Sequence, residues 1–361
     1  MHKLFVRFLV VAALLATAGN LHARENTVET AEKPRAGVIR VKLQAEAARM
    51  VGKAPRMKAK GAIDAGTAPL TKAAQQVKAV KIQPMLPYNA KFAEQRAKFG
   101  LDRWYEVEFD ENVDPQTASK IFSNVAGVER SEVIVPMQLK EGNGNFVSTT
   151  RPPMKATAAD YMFNDPQLPA QWHYQNFGTN PGSVAGSDVN LFEAWKISTG
   201  RPEVLVAIID GGVDYLHEDL AQNMYVNEAE LNGTPGVDDD GNGYVDDIYG
   251  YNFCTMSAEI YPHSHGTHVA GTVAAVNNNG IGVAGVAGGD GSKDSGVRMI
   301  SCQVFDSRSG TPEGDFAKAI VYAAEMGATI AQCSWGWGAP GYCEQAVIEA
   351  IDYFTESARS E

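Results

Sequence analysis

The feature that most constrains the fold is a regular alternation of apolar runs and helical patterns in the second half of the chain. Glu203–Asp210 is continuously apolar until it ends at an acid, and similar runs cover Val297–Phe305 and Thr329–Gly336. Helical patterns follow each run, in VAGTVAAV, GDFAKAIVYAAEMGA and CEQAVIEAIDYFTESA. Uninterrupted apolar runs of this length are typical of parallel strands that are buried on both faces. The βαβαβα order therefore predicts an α/β fold, a doubly wound parallel sheet.

The first half of the chain predicts a separate, small α+β unit. Strand patterns cover Gly37–Leu43, Trp104–Phe109 and residues 128–139. A helix is expected to begin at Pro115, with Asp114 as its N-cap, because aspartate accepts hydrogen bonds from the first turn and proline suits the first helical position. Residues 50–80 show no clear pattern, and we expect little regular structure there.

The extreme amino terminus has the pattern of a secretory signal peptide. Lys3 and Arg7 precede a short apolar core, Leu9–Leu15, and small residues follow it. An uncleaved membrane anchor is the alternative, but the run is too short to cross roughly 30 Å of hydrocarbon. We therefore expect residues 1–23 to be removed. The remainder would then have no membrane span and be secreted, either extracellularly or to the periplasm or cell surface.

Composition divides the rest of the chain in two. The polar stretch 141–160 reads as an exposed linker, so the expected units are residues 24–150 and 160–361. Through residue 160 there are 24 Lys+Arg and 16 Asp+Glu, whereas the remainder has 7 and 27. The opposite net charges suggest that the two units attract each other. The basic unit has no nucleic-acid-binding motif, so we expect no nucleic-acid partner.

Two motifs indicate acid–base chemistry. Asp210 closes a predicted buried strand, a common position for functional residues in parallel sheets. His265 lies in HSHGTHVAGT, at the start of a helix rich in small residues. The positive end of a helix dipole disfavours the imidazolium, and a general base must be neutral. Zinc binding by the three histidines is an alternative, but HEXXH spacing is absent. A purely structural histidine cluster is another.

The segments VAIIDGGVDYLHEDL and HSHGTHVAGTVAA resemble the aspartate and histidine signatures of subtilisin-like serine proteases, the subtilase or peptidase S8 family. The resemblance runs from about Asn164 to the last residue, and the basic unit before it is similar to the family's inhibitory pro-peptide. It implies a secreted serine-type endopeptidase precursor acting on polypeptides. His265 would be the general base, Asp210 would orient it, and the chain's own pro-peptide would be a partner.

The chain departs from the family at the nucleophile. The family has a serine in a GTS-type motif and an asparagine that binds the oxyanion, and neither occurs after His265. The subtilisin-like domain is therefore expected to be incomplete at its carboxyl end. This would leave the apolar faces of the runs at Glu203–Asp210 and Val297–Phe305 partly uncovered. The alternatives to an enzyme are a catalytically inactive binding or decoy protein and a non-functional fragment.

A substrate-binding edge is also implied by the resemblance. The segment CSWGWG is similar to the strand edge on which the family binds extended substrates, with Ser334, Trp335 and Gly336 as the expected contacts. An ordinary loop with two aromatic residues is the alternative.

An acidic stretch, VDDDGNGYVDDIYGYNF, predicts one calcium site. Its spacing matches four ligand positions of an EF-hand loop, at Asp238, Asp240, Asn242 and Asp246. Tyr249 stands where the bidentate glutamate of a full EF-hand would be. A solvated acidic turn without an ion is the alternative.

A second calcium site is implied by the resemblance alone. The stretch AVNNNGIGVAGVA is similar to the family's calcium loop, which would contribute the Asn279 side chain and three carbonyls. Two carboxylates from earlier in the chain match the remaining protein ligands. The implied set is Asp165, Asp219, Val276, Asn279, Ile281 and Val283. The alternative is a tight hydrophilic turn without an ion.

Overall fold

A computed structural model describes residues 33–51, 56–57, 63–140, 161–178, 183–306, 308, 313–338 and 341–357. The expected signal peptide and linker lie outside the described residues. We call residues 33–140 the amino-terminal unit and residues 161–357 the carboxy-terminal unit. None of the helices in the described part is long and apolar enough to cross a membrane.

The amino-terminal unit is built on a four-stranded antiparallel sheet with strand order β4-β5-β1-β6. Its strands are β1 (Val38–Leu43), β2 (Arg56–Met57), β3 (Ile63–Asp64), β4 (Ala79–Pro84), β5 (Trp104–Phe109), β6 (Val128–Val133) and β7 (Met137–Leu139). Its helices are α1 (Ala45–Val51), α2 (Ala68–Gln76), α3 (Ala93–Lys98) and α4 (Pro115–Ser123).

One face of this sheet forms the unit's own core. Ile39, Val41 and Leu43 alternate along β1 toward helices α1, α2 and α4. Arg40 and Lys42 point to the opposite face, as the two-residue period of a strand requires.

Three expectations for this unit are confirmed and two are wrong. The strand expected at Gly37–Leu43 forms as β1, and the one at Trp104–Phe109 forms as β5. Helix α4 begins at Pro115, where the Asp114 carboxylate accepts the Thr117 amide at 2.8 Å. The expected strand over 128–139 is two strands, which leave a gap around Pro136, because proline lacks the N–H that a ladder needs. Residues 50–80 contain α2, a helix of nine residues that is too short for its apolar spacing and its Thr67 cap to give a clear sequence pattern.

The carboxy-terminal unit contains a parallel sheet with strand order β11-β8-β10-β9. The strands are β8 (Leu205–Gly211), β9 (Gly250–Asn252), β10 (Arg298–Phe305), β11 (Ile330–Cys333) and, outside this sheet, β12 (Trp335–Trp337). The helices are α5 (Leu191–Trp195), α6 (Glu228–Leu231), α7 (Ser264–Ala274), α8 (Phe316–Glu325) and α9 (Gln345–Ser357).

Helices cover both faces of the parallel sheet, as the doubly wound prediction requires. Val206 and Ile208 face α7, whereas Ala207 and Ile209 face α8 and α9. The prediction that β8 and β10 would have uncovered apolar faces is wrong, because every residue of β8 is buried, and so is every residue of β10 after Arg298. Exposure is instead found at β11, the edge strand, where Ile330 is 50% exposed.

The cysteines form no disulfide. Cys254 and Cys302 are buried free thiols, and Cys333 and Cys343 are exposed free thiols. Burial raises the pKa of the Cys254 thiol to about 12, which keeps it protonated and unreactive.

The two units are in extensive contact. Residues of the amino-terminal unit, including Trp104 and Met137, belong to the same apolar cluster as α8 and α9. Around this apolar region, Lys42 pairs with Glu349 at 2.7 Å and Arg96 pairs with Glu325 at 2.6 Å. In both ion pairs the amino-terminal unit supplies the cation and the carboxy-terminal unit supplies the carboxylate, as the opposite net charges of the two units predict.

Candidate active site and calcium loops

The carboxyl end of β8 places Asp210 in direct contact with His265. The His265 Nδ1 lies 2.7 Å from Asp210 Oδ1. Asp210 is fully buried, while the His265 side chain retains 16% of its exposure. Burial raises the pKa of Asp210, and the hydrogen bonds from His265 and from the Gly211 amide oppose that rise. The pair therefore combines a buried carboxylate with a partly accessible imidazole.

Close backbone contact between β8 and α7 makes this geometry possible. A Cβ on Gly266 would lie 1.9 Å from the Gly211 carbonyl oxygen, so any larger residue would push the helix away from the strand. His263 precedes the helix, and its Nδ1 accepts a hydrogen bond from the His265 amide at 3.2 Å. The His263 cap and Gly266 together set the position of the first turn of α7, and therefore of the His265 side chain, relative to β8.

The hydrogen bond with Asp210 sets the tautomer of His265. A buried carboxylate accepts from Nδ1–H, which leaves the lone pair on Nε2 available to accept a proton. No serine of the described residues has a hydrogen bond with the His265 ring. The arrangement can supply a positioned base. Among the described residues, the three histidines of this motif do not form a group that could hold a metal ion, which argues against the zinc alternative.

The expected substrate edge carries a strand of the same chain. β12 pairs in antiparallel register with β7, matching Trp335 with Leu139 and Gly336 with Gln138. The Lys140 amide then donates to the Ser334 carbonyl at 2.7 Å. The Trp335 ring itself turns inward, and its Nε1 donates to the Ile209 carbonyl at 2.8 Å.

The strand register also shows that β7 runs toward the Asp210–His265 pair. Cys333 lies opposite Ile209 in the parallel pair, so Ser334 is level with Asp210. Because β7 runs antiparallel to β12, its chain reaches Lys140 at the level of the Asp210–His265 pair. The Lys140 side chain crosses Gly336, where an added Cβ would lie 3.1 Å from the lysine Cε.

The loop Val276–Val283 brings two distant carboxylates together. Asp165 accepts from the amides of Asn278 and Asn279, and Asp219 accepts from the Asn279 side chain at 2.8 Å and the Val283 amide at 2.9 Å. Both carboxylates are buried.

Burial raises the pKa of both carboxylates, and for Asp219 the charge of Asp165 adds to the rise. No positively charged side chain bonds either carboxylate among the described residues. This donor set therefore fits a hard cation, which would relieve the repulsion. A side chain on Gly282 would lie 2.2 Å from Asp219 Oδ2, so the loop needs glycine to enclose the carboxylate.

The acidic loop forms a cluster that differs from the EF-hand pattern. Oxygens of Glu230, Asp240 and Asp247 lie within 4.8 Å of one another. Asp247 is buried, and burial raises its pKa to about 7 although the Tyr322 hydroxyl donates to it at 2.6 Å. Asn242 joins this group, since its side chain donates to both Asp240 and Asp247.

Two of the predicted ligands are not brought into this group. The Asp238 carboxylate accepts backbone amides of its own turn, and Asp246 accepts the Gly236 amide. Sequence reasoning missed Glu230 because it lies on α6, outside the acidic stretch, and has no spacing relation to it.

Comparisons with known proteins agree with this geometry. Residues 201–360 match the subtilase family. Subtilisin-like protease 1 of Plasmodium vivax is 38% identical over 167 residues, which are 46% of this chain and 24% of that protein. The halolysin-like extracellular serine protease Nep of Natrialba magadii is 27% identical over 259 residues, which are 71% of this chain and 37% of that protein.

The fold has a counterpart among solved structures. Fervidolysin from Fervidobacterium pennivorans, a keratinolytic enzyme related to subtilisin, matches with a TM-score of 0.54 at 20% identity, over 93% of this chain and 40% of that one. At this identity the likeness supports the fold alone. The chain spans about a quarter of the length of the Plasmodium relative. The match over residues 201–360, the parallel sheet and the Asp and His motifs together show that the carboxy-terminal unit is similar to the subtilase family.

Proposed function

We propose that this chain is the amino-terminal part of a secreted serine-type endopeptidase precursor, with His265 as general base and Asp210 as the residue that orients it. The observation that carries the proposal is the 2.7 Å contact between His265 Nδ1 and the buried Asp210 carboxylate. That contact leaves Nε2 free to take a proton from a nucleophile, and the carboxylate stabilises the imidazolium that forms.

The amino-terminal unit has the features of an inhibitory pro-peptide. β7 lies on β12 as an extended peptide substrate would, adding a strand to an exposed edge. It ends at Lys140, level with the Asp210–His265 pair. We infer that residues 24–150 act as the pro-peptide, that residues 1–23 direct secretion, and that Ser334, Trp335 and Gly336 bind polypeptide substrates once the pro-peptide leaves.

Calcium is the proposed resident ion. Asp165, Asp219 and Asn279, with the carbonyls of Val276, Ile281 and Val283, would hold one ion. Glu230, Asp240 and Asp247 would hold another, and Asn242 would position the Asp240 and Asp247 carboxylates. Carboxylate and amide oxygens are the ligands that calcium prefers, and the ion would supply structural stability.

The base assignment can be tested in any product that extends this chain and includes a nucleophile. His265→Ala should lower kcat/KM by at least about 10⁴-fold. His268→Ala, in the same helix, is the matched control and should cost less than about tenfold. Equal losses in the two variants would refute His265 as the base.

A binding or decoy protein is the second candidate. The observation that favours it is that no described serine has a hydrogen bond with the His265 ring, while the substrate edge is already filled by β7. If the coding DNA downstream of codon 361 contains no GTS-type motif in any frame, the binding role is favoured over the endopeptidase.

A further inference from the structure

Six ionisable side chains are buried together where the units meet, and we call them the interface cluster. All six are between 2% and 9% exposed. They are Arg40, Glu106, Glu132, Asp315, Lys318 and Glu344. The cluster has no part in the Asp210–His265 site or in either calcium loop.

The amino-terminal unit contributes a row of three residues across its sheet. Arg40 in β1 lies opposite Glu106 in β5 and opposite Glu132 in β6. All three point to the face that packs on α8 and α9. With every group ionised, this half of the cluster has a net charge of −1.

The carboxy-terminal unit contributes the other three residues. Asp315 is the N-cap of α8, Lys318 lies in that helix, and Glu344 directly precedes α9. Arg40 bonds Asp315 at 2.8 Å and Glu344 at 2.5 Å. Lys318 bonds Glu106 at 2.8 Å and Asp315 at 3.0 Å. This half also has a net charge of −1.

The assembled cluster therefore has two cations for four carboxylates. Backbone amides partly compensate, because Glu132 accepts from Gln345 at 2.9 Å and from Ala346 at 3.2 Å. The second Glu344 oxygen accepts the Val135 amide at 3.1 Å. Amides cannot cancel a full charge, so joining the halves brings like charges into a site shielded from water.

Other ionisable groups around the cluster do not restore the balance. Arg130, in the same strand as Glu132, lowers the pKa of that carboxyl, but Arg130 is exposed and its charge is screened by solvent. Burial raises the pKa of Tyr342, so that phenol stays neutral beside Glu344. Lys42, on the same face of β1 as Arg40, is already paired with Glu349.

Among the four carboxyls, Glu344 is the natural proton acceptor. Burial raises its pKa to about 7, Arg40 opposes the rise, and Glu132 adds to it. Burial also raises the pKa of Glu106 and of Glu132. Burial alone would raise the pKa of Asp315 too, but Arg40 and Lys318 hold it below its ordinary value.

We propose that the two units take up a proton at the interface cluster when they assemble, so that the amino-terminal unit is held more tightly at mildly acidic pH than at alkaline pH. Alkaline conditions would then favour release of the unit that occupies the substrate edge. The proposal concerns the contact between the units and stands whether or not Asp210 and His265 are catalytic.

The direction follows from linkage. A carboxyl whose pKa is higher in the assembled state than in the separated state stabilises assembly below its ordinary pKa, and that contribution is lost as pH rises through the higher value. With an assembled value of about 7 for Glu344, the equilibrium for contact between the units weakens about tenfold between pH 6 and pH 8.5.

Hydrogen exchange on the full chain measures this directly. The reporters are the amides of Val135, Gln345 and Ala346, which donate across the cluster. Their protection factors, corrected for intrinsic exchange, should fall about tenfold between pH 6 and pH 8.5 relative to amides in β8 and β10.

Variants identify the responsible group. Glu344→Gln keeps an acceptor for the Val135 amide but cannot ionise, and it should reduce the pH effect to about twofold or less. Glu108→Gln, on an exposed glutamate of β5 with 41% of its side chain accessible, is the control and should keep the tenfold effect. A flat wild-type profile would overturn the proposal, and so would an undiminished tenfold effect in Glu344→Gln. If Glu344→Gln fails to fold, the wild-type profile alone decides.

Discussion

The sheets of the two units are buried in different ways. In the carboxy-terminal unit, β8 lies between α7 on one face and α8 and α9 on the other, and both contacts are apolar. The sheet of the amino-terminal unit buries one apolar face against its own helices. Charged residues occupy much of its second face, which reaches α8 and α9 of the other unit.

This difference indicates which contact can be undone. An apolar sheet face that loses its cover exposes surface at about 25 cal/mol per Å², whereas a charged face regains its hydration. The parallel sheet is therefore the less separable core, whereas the contact between the units combines apolar residues such as Trp104 and Met137 with charges that regain hydration on separation. A contact of this mixed kind is compatible with the proposed role of the amino-terminal unit as a pro-peptide.

The largest effect is expected in the parallel core. Ile208→Asp would bury an unpaired carboxylate between β8 and α7 and should cost more than about 4 kcal/mol, enough to abolish the cooperative unfolding transition. Ile197→Asp, at a site 89% exposed, should cost less than about 0.5 kcal/mol. Urea unfolding followed by circular dichroism measures both, and comparable losses would contradict the assignment of β8 as the core.

The next effect is expected at the charged face. Arg40→Leu leaves Asp315 and Glu344 without their cation and should destabilise the contact between the units by about 3–5 kcal/mol at pH 8. At pH 5.5 the loss should be smaller, because the raised pKa of Glu344 lets that carboxyl bind a proton. Thermal unfolding at the two pH values tests this, and an equal loss at both would show that charge is not the cause.

Removing calcium should have an intermediate effect, confined to the carboxy-terminal unit. An ion present at a hundredfold excess over its Kd stabilises the folded state by about 2.7 kcal/mol, so a chelator should lower the Tm. Asp219→Asn should remove much of the chelator's effect because it weakens one proposed site. An unchanged Tm in the wild type after chelation would rule out both sites.

The smallest effect is expected for a charge pair at the edge of the amino-terminal sheet, where the charged face is no longer covered by the other unit. Lys81 and Glu108 face each other across β4 and β5 at 3.4 Å, with 52% and 41% of their side chains exposed. Lys81→Ala should change the free energy of unfolding by less than about 0.5 kcal/mol. A loss as large as that of Arg40→Leu would mean that burial does not separate the two kinds of pair.

The same contrast explains how far the sequence predicts the structure. Long apolar runs and a two-residue cap signal, Asp114–Pro115, are local, so the parallel sheet and α4 can be predicted from them. The Asp210–His265 contact can be predicted only from its two motifs together, because 55 residues separate the partners. The pairing of β7 with β12 has no local signal, since its register depends on how the two units meet.

The acidic cluster at Glu230 and the interface cluster around Arg40 also could not be predicted from local sequence. Alternation along β1 predicts that Arg40 and Lys42 share a face, but it gives no reason to bury that face. The reason lies in α8 and α9, about 300 residues later in the chain. For the same reason β11, and not β8, is the exposed strand: strand order is a property of the assembled sheet.

The most direct test of the central claim is to assay the purified 361-residue chain with peptide substrates and with serine-directed phosphonates. Asp210 and His265 form a positioned base with no nucleophile hydrogen-bonded to it among the described residues, and a base without a nucleophile has nothing to activate. We therefore expect no covalent labelling and hydrolysis no faster than that of His265→Ala. Labelling of any serine, with Ser334 the first to examine because it is level with Asp210, would contradict the account, as would activity that His265→Ala abolishes.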